Sequence, residues 1–305
     1  MIVILLGTAF IIFTIMYFVP GDPADMILSA DATFEEKEAY RESLGLNDPY
    51  FVQLLRFFYD TFIKFDFGTS YTFKVPVLEE LINRIPRTFM LSIFCIIIDI
   101  VIGLPLGITA AIHQDSLVDR TIMVIAMVGI SIPNFWLALM LVLLFSVKLG
   151  WLPAYGIGTW KHWIMPVISS GLMGIANNAR QSRSAVLETI RADFVTTARA
   201  KGLDERTVIW KHMLPNALIP IVNMLGARFS MAIAGTVVIE SVFSFPGVGT
   251  YMLTGINNRD YPIVRSCVLV LAVFASCAIL LTDIAYAYID PRIKAQYAGS
   301  GREHK

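Results

Sequence analysis

The chain has 305 residues and no net charge; 56% of it is hydrophobic, only 16% is charged, and its mean hydropathy is +0.66. Soluble domains carry about 25% charged residues, so this composition excludes the pair of soluble domains that length alone would allow. Zero net charge excludes a global pull toward nucleic acid or acidic lipid and leaves electrostatic function to local clusters.

A spanning helix needs about 20 predominantly apolar residues. In chain order, the segments 2–20, 89–112, 122–147, 163–179, 217–243 and 267–289 meet or approach this requirement. The sequence therefore predicts an all-α polytopic membrane protein with six transmembrane helices in one domain, 1–305. The fourth segment is the shortest and is weakened by Gly171 and Gly174, and the fifth carries Arg228 and Glu240. A cleaved leader would begin with a basic stretch. No Lys or Arg precedes position 37, so the first segment reads as a retained span whose first cytoplasmic residues are missing. Cys95, Cys267 and Cys277 lie in apolar runs without metal-ligand spacing and read as small buried hydrophobes.

Residues 21–87 form a long loop with helical signals. Thr33 and Glu36 make a capping-box pattern before "FEEKEAYRES", with Gly45 as its stop. Asp48–Pro49 opens a second helix, with Pro at the tolerated first position and Phe51, Leu54, Leu55, Phe58 and Phe62 at helical spacing. A small helical cap on the outer face follows, serving either packing or substrate delivery.

Basic residues cluster after the second, fourth and sixth segments, most densely between Arg180 and Lys211. The loops 150–162 and 244–266 hold only Lys161, Arg259 and Arg265. The positive-inside rule then puts both termini and the region 180–215 in the cytoplasm and the 21–87 loop outside, with the chain in the cell membrane.

In that basic region, Val186, Ile190, Phe194 and Ala198 recur every four residues, which gives one apolar helical face. Lys201 suits a helix C-terminus, and Gly202 can take the left-handed conformation that closes it. Asp204 caps a short second helix, with Val208, Ile209, Met213 and Leu214 as its apolar surface and Pro215 to end or bend it. Such a helix–turn–helix, held at both ends by spans, suits insertion into a groove on a partner protein. The bland alternative is a basic loop resting on anionic lipid headgroups.

Within the spans, Pro105 and Pro133 are expected to bend the second and third, and Gly226 and Gly235 to thin the fifth. Ionisable groups at membrane depth cost at least about 2.5–3.5 kcal/mol on insertion scales. Asp99 and Arg228 read equally as an ion pair or as contacts for a charged substrate, and Asp283 interrupts the sixth span. Asn134, Phe135, Ser230 and Thr236 complete the candidate translocation path. Glu240, Phe243, Pro246, Gly247 and Gly249 form a tight turn after the fifth span, either a plain turn or an outer gate.

"TTARAKGL…LPNAL" resembles the cytoplasmic coupling motif of ABC-transporter permeases, with Ala198, Ala200, Gly202, Leu214 and Pro215 in its positions. The acidic residue that opens the motif in many permeases is absent, and Thr196 stands near it. "VPGDPAD", "SLGLNDPYFVQ", "FDFGTSY", "IPRTFMLSI", "SIPNFWLALMLVLLFSVKLGWLPAYG", "ESVFSFPGVG…NNRDYPIV" and "DPRI" extend the resemblance over nearly the whole chain to the peptide/nickel branch.

The resemblance implies a non-catalytic permease that pairs with a homologous permease on two cytoplasmic ATPases and takes di- or oligopeptides from an external solute-binding protein. The long first loop resembles that of the first of the paired subunits. ATP and Mg would be bound by the ATPase partners; this chain has no G-x-x-x-x-G-K-[ST] loop and is expected to bind no cofactor, metal or nucleic acid. Thr196, Thr197, Ala198, Ala200, Lys201, Gly202, Leu203, Asp204, Leu214 and Pro215 are the implied coupling residues. Nickel, a nickel chelate, glutathione or an oligosaccharide are alternative cargoes. His113, His162, His212 and His304 do not gather within a span, which disfavours direct ligation of a bare ion. An intramembrane enzyme would need a nucleophile–base pair or metal motif at membrane depth, and the sequence offers neither.

Overall fold

A computed structural model describes residues 1–28 and 32–289, so the terminal "DPRI" motif and the basic tail lie outside the described residues. The described chain is helical throughout, with one isolated antiparallel bridge between Thr69 and Pro76. Two helices among the described residues are long and apolar enough to cross a membrane, Val77–Ile112 and Tyr261–Ile284. The pair Leu117–Ser131 and Asn134–Lys148 qualifies as a third only if its 94° bend lies within one span. Ile2–Phe18 is apolar but has 17 residues. Lys161–Ile190 and Leu214–Val242 are 30 and 29 residues long. Charged side chains such as Arg180, Arg183 and Arg228 dilute their apolar character.

Prolines affect these helices unequally. Pro133 interrupts the expected third span: Ile132 before it is extended (φ −82°, ψ 120°), and the helix restarts at Asn134. The residue before a proline is pushed out of the α region by the ring. Pro105 and Pro215 leave their helices continuous. Each follows a wide π-type turn, Asp99–Gly103 and Val208–Met213. A proline ring clashes with the carbonyl four residues back; Val101 and Lys211, which carry those carbonyls, sit in the wide turns, where the spacing is relaxed. Pro215 therefore does not end its helix, which removes one of the two outcomes expected from the sequence.

The chain forms two compact units. The first comprises 1–90 and 236–276. Its helix Phe34–Ser43 starts with the expected capping box: Glu36 N–H donates to Thr33 Oγ1 (3.3 Å), and Thr33 N–H to Glu36 Oε2 (2.8 Å). Pro49 is the N-cap of Tyr50–Phe62, one place earlier than expected. Tyr50 and Phe57 pack on Phe13 of the first helix at 5.6 and 5.5 Å between ring centres, so the loop is anchored to it. Two of the sequence motifs also meet. The buried Asp260 of "NNRDYPIV" accepts from Ser70 Oγ at 2.7 Å and Thr72 N–H at 2.9 Å of "FDFGTSY". Val77, Leu81, Val248, Tyr251, Ile263 and Cys267 form the apolar core of this unit.

The second unit comprises 91–235 with 277–305, of which the described part ends at 289. Lys161–Ile190 packs closely along the 99–112 stretch. A Cβ at Gly103 would stand 2.7 Å from the Ile175 carbonyl oxygen, and one at Gly107 would overlap the Ala179 carbonyl. Glycines four apart let helix backbones approach in apolar surroundings, where dispersion packing replaces the missing hydrophobic drive. Gly171 and Gly174, which weaken the fourth segment as a hydropathy signal, receive Ile98 and Asp99 in the same contact. At its far end Arg183 forks onto Asp119, Nε to Oδ1 at 2.6 Å and Nη2 to Oδ2 at 2.7 Å. Asp119 also accepts from Asp115 N–H at 3.0 Å.

Hydrogen bonding from Arg183 holds the Asp119 carboxyl below its ordinary range. A lowered carboxyl pKa gives stability that is present above the unfolded value of about 3.9 and lost as pH falls through the folded value. Charge-assisted hydrogen bonds of this kind contribute about 1.5–3 kcal/mol. Asp119→Asn is expected to lower the thermal unfolding midpoint in detergent at pH 7, and the gap to wild type should close in strong acid. An unchanged midpoint at pH 7 would remove the fork from the stability of this unit.

Candidate functional site

The basic region folds as an elbow within the second unit. Lys161–Ile190 ends, Ala192 is extended (φ −73°, ψ 147°), and a separate helix Asp193–Ala200 begins. This break splits the expected four-residue apolar row. Val186 and Ala198 are buried, but Phe194 is 44% exposed and Val195 takes the inward position. Gly202 sits at φ +78°, the left-handed region, with Gly202 N–H closing on the Arg199 carbonyl at 2.9 Å. Asp204 then caps the next turn by accepting from Thr207 N–H at 3.0 Å, and the Thr207 side chain together with this bond holds its carboxyl below the ordinary range. Across the bend Arg199 pairs with Glu205, Nη2 to Oε1 at 2.5 Å and Nε to Oε2 at 3.1 Å.

The inner side of the elbow is one apolar core: Val195, Ala198, Val208 and Met213 with Ala111, Val186 and Ala217. Leu214 is buried too. Thr196, Thr197, Ala200, Lys201, Leu203, Asp204 and Pro215 are exposed. The Thr197 hydroxyl is turned back onto the Asp193 carbonyl at 2.8 Å. Trp210, 61% exposed, joins Phe194 and Leu203 as a large apolar side chain left uncovered on the elbow. Sequence reading had passed over Trp210, although a tryptophan in a short basic helix is itself a signal for an interface.

Of the candidate path residues, Asp99 and Arg228 come together in the second unit, Oδ2 to Nη2 at 3.6 Å. The contact is an ion pair without a short hydrogen bond. Asp99 Oδ1, Arg228 Nε and Asn178 Nδ2 are buried without a partner. Room for the carboxylate comes from Gly174, whose Cβ would fall on it. Asn134 and Phe135 instead open the helix after the 94° bend, Asn134 half-buried and Phe135 exposed. Thr236 is buried in the first unit, and the Ser230 side chain lies outside the described residues.

The turn after Leu214–Val242, in the first unit, is built around Glu240, which is 0% exposed. Glu240 Oε1 accepts from Thr88 Oγ1 at 2.6 Å, Oε2 accepts from Thr250 N–H at 3.1 Å, and its carbonyl from Phe245 N–H at 2.7 Å. Thr88 Oγ1 in turn accepts from Val248 N–H at 2.9 Å. The carboxylate thus sits on the open N-terminus of Val248–Asn257, where the helix dipole favours negative charge. Gly247 and Gly249 make the space. A Cβ at Gly247 would strike the Glu240 carboxylate, and one at Gly249 would stand 2.6 Å from Val237 Cα. Phe243 is buried beneath the turn, and Arg87 Nη1 donates to the Pro246 carbonyl at 3.2 Å. Thr88, from "IPRTFMLSI", is the partner that sequence reading did not single out.

These features describe a helical protein whose basic elbow leaves three large apolar side chains exposed, and among the described residues no cluster of three or more His, Cys, Asp or Glu could hold a metal. The sequence matches the family described as "Binding-protein-dependent transport system inner membrane component" over residues 103–295 and its N-terminal companion over 1–92. It is 38% identical over 96% of both chains to the dipeptide transport system permease protein DppB of Alkalihalophilus pseudofirmus. It is 37% identical to the glutathione transport system permease protein GsiC of Salmonella paratyphi A, covering 95% of this chain and 94% of that one. Among solved structures it resembles a chain of the MetNI methionine ABC transporter in inward-facing conformations, with a TM-score of 0.61 and 18% identity, covering 70% of this chain and 98% of that chain. The chain belongs to the family of binding-protein-dependent transport system inner membrane components. It is thus a permease subunit of an ABC importer, which works with ATPase and binding-protein partners.

Two contrasts test these sites. Gly249→Ala places a methyl group against the backbone and is expected to sharply reduce the yield of folded protein, whereas Gly235→Ala meets open space and should be neutral. Equal yields would show that the turn is not close-packed. For the ion pair, Asp99→Asn and Arg228→Gln should each destabilise, and the double variant should lose less than their sum by about 0.5–3 kcal/mol. Strict additivity in detergent melting would mean the two charges do not interact.

Proposed function

We propose that the chain is the first of two paired permeases in an ATP-driven importer that passes di- or oligopeptides from an external solute-binding protein across the cell membrane. In this reading the chain crosses the membrane six times, with both termini and the 180–215 elbow in the cytoplasm and the 21–87 loop outside. ATP and Mg belong to two ATPase subunits, and this chain contributes no catalytic group. Peptide cargo is supported by the similarity to a dipeptide permease along nearly the full length. Similarity to glutathione permeases favours glutathione, itself a small peptide, as the second reading.

One observation carries the coupling role: two capped helical segments meet at Gly202 in the left-handed conformation, with an apolar core on the inside and uncovered Phe194, Leu203 and Trp210 on the outside. The outer side chains fit a groove on an ATPase. The inner core is shared with 104–112, Lys161–Ile190 and Leu214–Val242, so a push on the elbow reaches each of these helices through close-packed contacts. Asp99, Arg228, Asn134, Phe135, Ser230 and Thr236 are assigned to the path. Glu240, Phe243, Pro246, Gly247 and Gly249 are assigned to a rigid outer boundary, since the Glu240 carboxylate is fully engaged in holding the turn together.

Open space surrounds the place of a Cβ at Gly202, so its φ of +78° is the whole obstacle to substitution. A left-handed non-glycine residue costs about 1–2 kcal/mol, and Asn bears it best. Gly202→Val is expected to reduce uptake per ATP hydrolysed by about tenfold, the equivalent of 1.4 kcal/mol. Gly202→Asn should stay within about twofold, reflecting its smaller left-handed penalty. Uptake and ATPase activity of reconstituted complexes give the ratio; unchanged coupling in Gly202→Val would overturn the role of the elbow.

A further inference from the structure

In the first unit, residues of the 21–87 loop, the first helix and the start of Tyr261–Ile289 enclose a cavity of about 690 Å³. Small-molecule sites commonly measure roughly 300–1,000 Å³. Neither the coupling elbow nor the Glu240 turn makes use of it. Its walls are strongly charged, and most of those charges are matched. Arg41 meets Asp22 and Arg56 meets Asp48, each at 2.5 Å, while Lys64 meets Asp60 at 2.9 Å. Asp66 accepts from Gly68 N–H at 2.8 Å.

Of the three arginines that line the cavity, Arg265 alone forms no ion pair among the described residues. Its Nε donates to the Tyr261 carbonyl at 3.3 Å, and Tyr71 lines the same cavity. The guanidinium is held over the rings of Phe57, at 4.9 Å, and Phe13, at 5.7 Å. Among the described residues no carboxylate forms an ion pair with it. Stacking on aromatic rings fixes the guanidinium plane, and a fixed fork with free donors matches a carboxylate in two parallel hydrogen bonds. A cation whose role was only to pack on Phe57 would need no cavity in front of it.

We propose that Arg265 anchors a carboxylate-binding site in this cavity, and that its ligand is the free C-terminal carboxylate of a short peptide in transit. The peptide identity rests on the cargo reading above; the carboxylate chemistry rests on Arg265 and the cavity alone. On this assignment the site holds cargo at the mouth of the permease by its one invariant anionic group, which accommodates varied side chains. The loop contributes Phe57 and Tyr71, and so builds the binding site as well as covering the first helix.

The test is equilibrium binding of radiolabelled dialanine and radiolabelled glutathione to the assembled complex in nanodiscs, without the solute-binding protein. Dialanine is expected to bind saturably, dialanine amide to compete at least tenfold more weakly, and N-acetyl-dialanine to compete nearly as well. Arg265→Gln should lose at least tenfold in affinity and Arg265→Lys less, with thermal melting of both variants as the folding control. Should the variants fail to fold, the amide comparison on the wild-type complex decides alone. Equal competition by the amide, or saturable binding of neither label, overturns the site. Binding of glutathione without dialanine, lost in Arg265→Gln, retains the site and moves the cargo; carboxylate-dependent binding without uptake of either solute overturns the import of these cargoes but not the site.

Discussion

A polar group buried in a lipid-embedded bundle has to find its partner within the protein, because hydrocarbon offers none. That constraint organises both units. Asp260 meets it on one oxygen only: Oδ2 takes a hydroxyl and a backbone N–H from the loop, while Oδ1 is buried without a partner. Glu240 is buried on a helix N-terminus, and Thr88 links it to a second backbone N–H. Pro105 and Pro215 remove a backbone donor each, and their helices continue through them after a wide turn. At Pro133 the chain instead breaks, and the two helices meet at 94°.

The same constraint accounts for what was legible in the sequence. Local devices were readable where one or two residues suffice: the Thr33–Glu36 capping box, the left-handed Gly202 and the Asp204 cap all appear where the residue types require them. Features that need two distant segments were not. "IPRTFMLSI" and "ESVFSFPGVG" are separate motifs in the sequence; only the fold shows that Thr88 of one is the hydrogen-bond partner of Glu240 of the other. Gly103 and Gly107 carry a four-residue spacing that could have marked the close contact with Lys161–Ile190, but hydropathy counts them merely as weak apolar residues. The Phe194 expectation failed for a local reason: periodicity assumes an unbroken helix, and an extended Ala192 shifts the buried face by one residue.

The elbow shows how a short segment can be stiff without being buried. Its Arg199–Glu205 pair and Asp204 cap lie in water, where such contacts contribute little individually. Stiffness comes from the inner face, where Val195, Val208, Met213 and Ala217 are fully covered and packed with Ala111 and Val186. Cores at crystal-like density transmit displacement because they cannot absorb it by compression. The exposed Phe194, Leu203 and Trp210 then lie on the far side of a rigid wedge, which is the arrangement a docking surface needs in order to pass on a push.

The buried carboxylates of the two units make opposite use of the same kind of surroundings. Glu240 has its acceptors filled by Thr88 and Thr250, and glycines at 247 and 249 let the turn close directly over it. Opening that turn would strand a carboxylate and several N–H groups at once, which opposes its opening. Asp99 is left half-satisfied, 3.6 Å from Arg228, with Asp99 Oδ1, Arg228 Nε and Asn178 Nδ2 lacking partners. An incompletely satisfied pair has little to lose on separation compared with a fully hydrogen-bonded one. Conformational change within the second unit is therefore opposed less at Asp99–Arg228 than a comparable change in the first unit is at Glu240. The unpaired polar atoms of the second unit thus lie where opposition to movement is lower.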